Sequence, residues 1–188
     1  MASDSPMFPL PLAVSGVTIA VALGLYALNR QKGDPNGPLS PKQIKIIQTT
    51  WAVVEKLGAE TVGVLLFKHI FEAAPEAASL FKKLNVDLKR DLSENPALVA
   101  HAVGVVSTVG IAISMLNDLP ALVPVLKDLG RRHCTYSVKK EHYPIVGAAF
   151  LKTLRLGLGD NYTNEVATAY TAMWGVVEAT MLAGYPGK

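Results

Sequence analysis

An uncharged, strongly apolar segment near the start of the chain most restricts how this sequence can fold. Residues 7–28 contain no charged side chain. At a helical rise of about 1.5 Å per residue, residues 10–28 approach the ~30 Å thickness of the hydrocarbon core of a bilayer. Arg30 and Lys32 end the segment abruptly, and a stretch rich in helix breakers follows at residues 34–38. The segment is therefore long enough to be a membrane anchor.

Three interpretations of this segment compete. A secretory signal peptide would have a basic region before the apolar run, but Asp4 is the charged side chain in residues 1–6. A core helix would show polar positions at helical spacing, and we find no such pattern. A transmembrane signal-anchor helix over residues 7–29 fits the pattern best. It would lie between an N-terminal tail (residues 1–6) and a linker (residues 30–39).

The flanking charges and small residues of this helix carry two further expectations. Basic residues follow the apolar run and none precedes it, so the positive-inside rule predicts that the C-terminal domain of a single-pass protein faces the cytosol. Gly16, Ala20 and Gly24 recur at four-residue spacing, which lets two helices approach closely in lipid. This stripe is a candidate homodimer contact, or it reflects the general abundance of small residues in anchors.

Charge and cysteine content exclude several classes of protein. The formal net charge is +3 at pH 7 and no run of five like charges occurs, so nothing in the sequence favours nucleic-acid binding. Cys134 is the single cysteine, so an internal disulfide cannot form and an oxidising compartment is not indicated.

Residues 40–188 have the length of one compact domain, and their apolar residues recur at helical rather than alternating spacing. Ser40 and Gln43 form a capping-box pattern around a first-turn proline. Asn95 before Pro96 predicts another helix start. The sequence therefore predicts an all-α domain of about seven to eight helices.

Prolines and glycines divide the second half of this domain. Pro120 and Pro124 predict a break between two helices. Pro144 predicts the start of a long apolar helix, and residues 157–160 predict a turn. The last helix is predicted over residues 164–182, where apolar side chains recur at helical spacing.

Two of the four histidines lie on apolar helix faces. His101 shares a face with Leu98 and Val105, and His133 shares one with Leu129. For either histidine alone, a core residue satisfied by a hydrogen bond is the more common arrangement. A haem iron between two helices is the alternative partner, since one axial histidine suffices for haem, whereas a structural zinc site takes about four ligands.

Several positions recur in the order and spacing of a known family. They are a tryptophan in the first helix, two phenylalanines around a proline, and two histidines, the second preceded by Leu-Gly: Trp51, Phe67, Pro75, Phe81, His101 and His133. From about Ser40 to Leu182 the chain resembles the globins, particularly the non-symbiotic haemoglobins of plants and the neuroglobin type. Each of these residues alone is weak evidence for a family, but their combined order and spacing are specific. The resemblance implies a three-over-three helical fold around haem b.

The resemblance also implies a role for individual residues. His133 would be the proximal iron ligand. His101 would be the distal residue, which either donates a hydrogen bond to a bound gas or binds iron as a sixth ligand when no gas is present. Gly104 stands where the family often has a lysine over the haem edge, so the pocket entrance should be more open. The full set of expected haem-binding residues is His133, His101, Phe81, Phe67, Val105, Val138, Lys139 and Tyr143.

Four polar residues, one of which (Lys139) belongs to this set, can also be interpreted as surface residues. Arg132, Lys139 and His142 are either partners of the haem propionates or solvated surface residues. His69 follows Lys68 on the side of its helix that we expect to face solvent.

Three functions follow from these expectations. The first is a membrane-tethered globin that binds O2, NO and CO and performs NO dioxygenation or related redox chemistry. It would need an unidentified external reductase, because the chain has no Gly-x-Gly-x-x-Gly nucleotide motif. The second is an O2 store or a gas or redox sensor without turnover. The third is a haem-free, anchored interaction protein. Bulk oxygen transport fits a tethered chain poorly, and the sequence leaves open whether the chain is an enzyme.

Overall fold

The computed structural model describes residues 38–186 of the chain. The predicted anchor at residues 7–29, including the stripe of Gly16, Ala20 and Gly24, lies outside the described residues. Within residues 38–186 the chain is helical throughout and contains no strand. Its α-helices are α1 (Pro41–Glu55), α2 (Ala59–Ala73), α3 (Pro96–Ser114), α4 (Leu119–Thr135), α5 (His142–Leu158) and α6 (Asn164–Leu182).

Three 3-10 helices connect the α-helices: Pro75–Leu84, Leu92–Glu94 and Gly159–Asn161. The first of these has ten residues. Counted with it, the described part of the chain has seven substantial helices, so the prediction of an all-α domain is confirmed.

The helix starts follow from local hydrogen bonds that the sequence encodes. Ser40 Oγ accepts a hydrogen bond from the backbone N–H of Gln43 at 3.3 Å, and Gln43 Oε1 accepts one from the N–H of Ser40 at 2.9 Å. Asn95 Oδ1 accepts from the N–H groups of Ala97 and Leu98. Each cap satisfies backbone donors that have no partner inside the helix. Both predicted starts are confirmed, and α6 has the predicted bounds.

The predicted break between Pro120 and Pro124 is wrong. Both prolines lie inside α4, which Asp118 caps through a hydrogen bond from the N–H of Ala121 at 3.2 Å. Pro120 is in the first turn, where a missing N–H costs nothing, and Pro124 forfeits one bond near the helix start. The chain reverses earlier, at residues 115–118.

Two glycines allow helix backbones to approach closely. A methyl group on Gly63 of α2 would lie 2.8 Å from the backbone carbonyl carbon of Ala102 in α3. A methyl group on Gly130 of α4 would collide with the backbone carbonyl of Met181 in α6. Because real Cβ atoms do not approach so closely, these contacts require glycine, and they determine where α3 and α4 lie.

Within residues 38–186, α3 is the helix whose length and apolar composition would suffice to cross a membrane. The side chains of Leu98, Ala102 and Val106 on this helix are buried in the core. The apolar composition of α3 is therefore used for packing on at least one face.

The expectation that His69 faces solvent is wrong, since the residue is 5% exposed. Its Nδ1 lies 2.9 Å from Oγ1 of Thr153 in α5. The Thr153 hydroxyl donates its proton to the carbonyl of Ala149, so it accepts from His69 and Nδ1 carries the hydrogen. His69 is thus a core histidine that joins α2 to α5. Burial lowers its pKa, and the charge of Lys152 lowers it further.

Acid should weaken the fold through His69. Its pKa in the folded chain lies below the unfolded value of 6.5, so below that pH the unfolded chain binds a proton that the folded chain excludes. This contribution to stability is fully present above pH 6.5 and decreases as the pH falls below it. In urea titrations of the full chain, His69→Gln should therefore lose less stability than the wild type between about pH 7.5 and about pH 5. Equal losses in the two proteins would contradict this assignment.

Candidate functional site

A largely apolar cavity of about 520 Å³ lies between α3, α4, α5 and α6. This volume falls within the ~300–1,000 Å³ that is usual for ligand pockets. Its apolar walls include Val105, Val109, Leu126, Leu129 and Val146. A second, more polar depression of about 310 Å³ borders the start of α3 and contains none of the predicted site residues. The larger cavity is therefore the candidate site.

His133 enters the cavity from the last turn of α4. Its Nδ1 lies 2.9 Å from the carbonyl oxygen of Leu129. Since a carbonyl only accepts, Nδ1 carries the hydrogen, and Nε2 of the neutral ring keeps its lone pair. Burial lowers the pKa of His133, the bond to Leu129 opposes this effect, and the charge of Arg132 adds to it. The ring is thus held in the neutral tautomer that binds metal ions.

His101 enters the same cavity from α3. The ring is accessible because it faces the open cavity, yet enough protein surrounds it that burial lowers its pKa. A charge on His133 would lower the pKa of His101 further, and both rings line the same cavity. Among residues 38–186, the His101 side chain has no hydrogen-bond partner, so both of its ring nitrogens are available.

Two phenylalanines pack against the ring of His101, and a third packs against both of them. The ring centroid of His101 lies 5.5 Å from that of Phe67 and 5.6 Å from that of Phe81. Phe67 and Phe81 pack edge to face at 5.3 Å, and Phe71 packs on both. Phe67 and Phe81 were predicted to bind the cofactor directly. In the structure both rings pack against the His101 ring, and neither is among the side chains that line the cavity.

The loop between α4 and α5 forms another edge of the cavity, where Val138 and Tyr143 line it. The hydroxyl of Tyr185 donates to the carbonyl of Val138 at 2.9 Å and lies 3.3 Å from the hydroxyl of Tyr143. Burial, followed by the contact with Tyr185, raises the pKa of Tyr143 well above its usual value. Both tyrosines therefore stay neutral and hold this loop in place.

Lys139 does not line the cavity. Its side chain is exposed, and its Nζ lies 3.9 Å from a carboxylate oxygen of Glu141. Its backbone N–H donates to Nδ1 of His142 at 3.1 Å, and His142 does line the cavity. Lys139 thus positions His142 through its backbone.

The contribution of α6 to the cavity wall could not be recognised from the sequence pattern. Met173, Trp174, Val177 and Met181 all line it. Trp174 and Val177 do recur at helical spacing, but a cavity wall and a packed core produce the same spacing. Gly104 also lines the cavity, and a methyl group there would meet nothing within 4 Å, which fits an open entrance.

These residues fit a haem better than a bare metal ion. In the described part of the chain, no group of three or more histidine, cysteine or acidic side chains is arranged to hold a metal. A porphyrin supplies four nitrogen ligands itself and needs one or two histidines and an apolar pocket. His133, with a free Nε2 and a fixed tautomer, and His101, without a competing partner, meet that need.

Comparisons with known proteins agree with this fit. The globin family model matches residues 64–181. Neuroglobin of Tetraodon nigroviridis is 34% identical over 150 residues, which cover 78% of this chain and 92% of that protein. The flavohemoprotein of Bacillus subtilis (strain 168) is 30% identical over 139 residues, 74% of this chain but 32% of that protein.

Among solved structures, a hexacoordinated heme protein from an anhydrobiotic tardigrade superposes with a TM-score of 0.74 at 19% identity. The superposition covers 81% of this chain and 98% of that chain. At this level of identity, the likeness is one of fold.

Removing the Tyr185 hydroxyl should loosen the cavity edge. Tyr185→Phe deletes the donor to Val138 and should lower the free energy of unfolding by about 0.5–1.5 kcal/mol, because it leaves that carbonyl without its partner. Urea unfolding of the full chain measures this change. Tyr162→Phe is the matched control, since among the described residues the Tyr162 hydroxyl makes no side-chain hydrogen bond and its ring would keep its contact with Arg155. Equal effects of the two substitutions would contradict the assignment.

Proposed function

Because this chain belongs to the globin family, we propose that its cavity binds haem b and thereby binds O2, NO and CO reversibly. The observation that carries the proposal is the pair of neutral histidines, His101 from α3 and His133 from α4, in one apolar cavity. When bound, haem supplies an iron centre that binds diatomic gases and exchanges electrons.

His133 is the proximal ligand in this proposal. Its Nε2 binds the iron, because Nδ1 is engaged by the carbonyl of Leu129. That hydrogen bond fixes the orientation of the ring and increases its basicity, as second-shell acceptors do for metal-bound histidines. The apolar lining formed by residues such as Val105 and Val146 excludes water from the binding site.

His101 has two roles that alternate. With no gas present, its ring would hold the iron as a sixth ligand; with O2 or NO bound to haem, its N–H would donate a hydrogen bond to the gas. The absence of a competing partner for His101 among residues 38–186 supports both roles. The fold shared with a protein described as hexacoordinated adds support for the first. Gas binding then requires displacement of His101, and the small Gly104 leaves room for that movement.

We further propose that the chain converts NO and O2, with one electron, to nitrate. The flavohemoproteins are similar to this chain over their globin part and extend well beyond it. In this proposal the electron comes from a separate reductase. O2 storage or gas sensing without turnover is the alternative function.

The membrane tether is part of this proposal and rests on the sequence. Residues 7–29 form the anchor, residues 30–39 the linker, and the globin domain faces the cytosol. Gly16, Ala20 and Gly24 provide a contact for a homodimer in the membrane. A tether favours local chemistry next to a reductase over bulk transport of oxygen.

The first test is the visible absorption spectrum of the reduced, gas-free holoprotein. The wild type should show sharp, split bands, and His101→Leu should show one broad band, because the substitution removes the sixth ligand. His142→Leu is the matched control, since it removes another cavity-lining histidine and should keep the split bands. A single broad band in the wild type would mean that the iron is open and would overturn the sixth-ligand role.

The second test is the consumption of NO by the reduced, oxygenated full chain. We expect one nitrate for each NO, because O2 and one electron complete the balance. Continued turnover should require added reductant. Reversible O2 binding without nitrate formation would favour storage or sensing. A chain that takes up no haem when haem is supplied would favour the interaction protein.

A further inference from the structure

Trp174 is a large residue in the cavity wall, and its indole Nε1 has no hydrogen-bond partner among residues 38–186. The indole ring borders the cavity from α6. Its Nε1 is buried and, among the described residues, makes no hydrogen bond. An unpaired buried donor is unfavourable, so packing alone would favour an apolar ring such as phenylalanine at this position. The presence of tryptophan rather than phenylalanine at this position therefore needs another explanation.

The indole rests on bare backbone at Gly147 of α5. A methyl group there would collide with Nε1 and lie 2.6 Å from Cδ1 and 2.8 Å from Cε2 of the indole. The ring also packs on Phe150, with centroids 5.8 Å apart. Trp174 thus has no free space on the α5 side, and the open space lies on the cavity side.

Glu178 lies one turn beyond Trp174 and does not satisfy the indole. Burial raises the pKa of Glu178, and the nearby indole N–H opposes that rise. The two groups are thus close enough to interact, but the indole N–H lies outside hydrogen-bonding geometry. The interaction with Glu178 therefore compensates the indole N–H only in part and does not by itself account for the choice of tryptophan.

We propose that Trp174, seated on Gly147, is a positioning residue for haem. Its broad aromatic surface forms the part of the wall that the porphyrin packs against, and the Gly147 seat determines how far that surface projects into the cavity. An aromatic side chain of this size supplies a large apolar contact area, which outweighs the unpaired N–H. This inference rests on the proposed haem binding, and it goes further by assigning the seating of the porphyrin to one pair of residues.

The test is the rate of haem transfer from the holoprotein, as the full chain, to an excess of apomyoglobin. Gly147→Ala pushes the indole into the cavity and should speed haem transfer about tenfold, which corresponds to about 1.4 kcal/mol. Gly175→Ala is the matched control. It lies next to Trp174 in α6, and its methyl group would meet nothing within 4 Å, so the transfer rate should stay that of the wild type.

A second variant separates positioning from simple stability. A phenyl ring is smaller than the indole and lacks Nε1, the ring atom that the methyl group would approach most closely, so Trp174→Phe should partly reverse the effect of Gly147→Ala in the double variant. Trp174→Phe alone should change the circular dichroism of the main haem absorption band, because that signal depends on aromatic neighbours of the haem.

Two outcomes would overturn the proposal. The first is that Gly147→Ala and Trp174→Phe both keep the wild-type transfer rate and an unchanged haem signal. This result would overturn the role of Trp174 but not the proposed haem binding, even if Gly147→Ala lowered the stability of the apoprotein. A wild-type chain that takes up no haem would overturn it together with the proposed haem binding.

Discussion

The two helices that carry His101 and His133 are held by backbone contacts that only glycine allows. Gly63 of α2 touches the backbone of Ala102, the residue after His101. Gly130 of α4, which lies three residues before His133, touches the backbone of Met181 in α6. Because such contacts do not compress, they fix the positions of α3 and α4 while the side chains between the helices leave a cavity. The geometry of the site depends on these two contacts.

The hydrogen bonds of the histidines separate structural from functional residues. His69 is buried and engaged by Thr153, so its ring is used to join two helices. His133 uses one nitrogen on Leu129 and leaves the other free. His101 faces the cavity, and among residues 38–186 no group forms a hydrogen bond with its ring nitrogens. Burial lowers the pKa of all three, so hydrogen bonding rather than pKa identifies the two that are suited to a ligand.

The cavity combines one rigid wall with one open wall. On the α5–α6 side, Trp174 rests on Gly147 and Phe150 without spare room. On the α3 side, Gly104 leaves open space next to His101. A rigid wall suits the seating of a porphyrin, and an open wall suits a ligand that must move aside for a gas. The proposed gas chemistry uses both properties.

The sequence by itself determined those structural features that depend only on residues close together in the chain. The caps at Ser40 and Asn95, the bounds of α6 and the faces of His101 and His133 follow from local hydrogen bonds and helical spacing. The sequence also predicted the family, since that depends on residue order.

Only the tertiary structure decided what depends on the partner helix. His69 was expected at the surface because its own helix does not reveal that α5 covers it. Pro124 was expected to break a helix, but it lies near the start of α4, where the loss of one backbone hydrogen bond is tolerated. Helical spacing did not identify Trp174 as a cavity-wall residue, because a packed face and a cavity wall have the same spacing. For His69 and Trp174 the deciding contact joins residues far apart in the chain, and helical periodicity does not encode it.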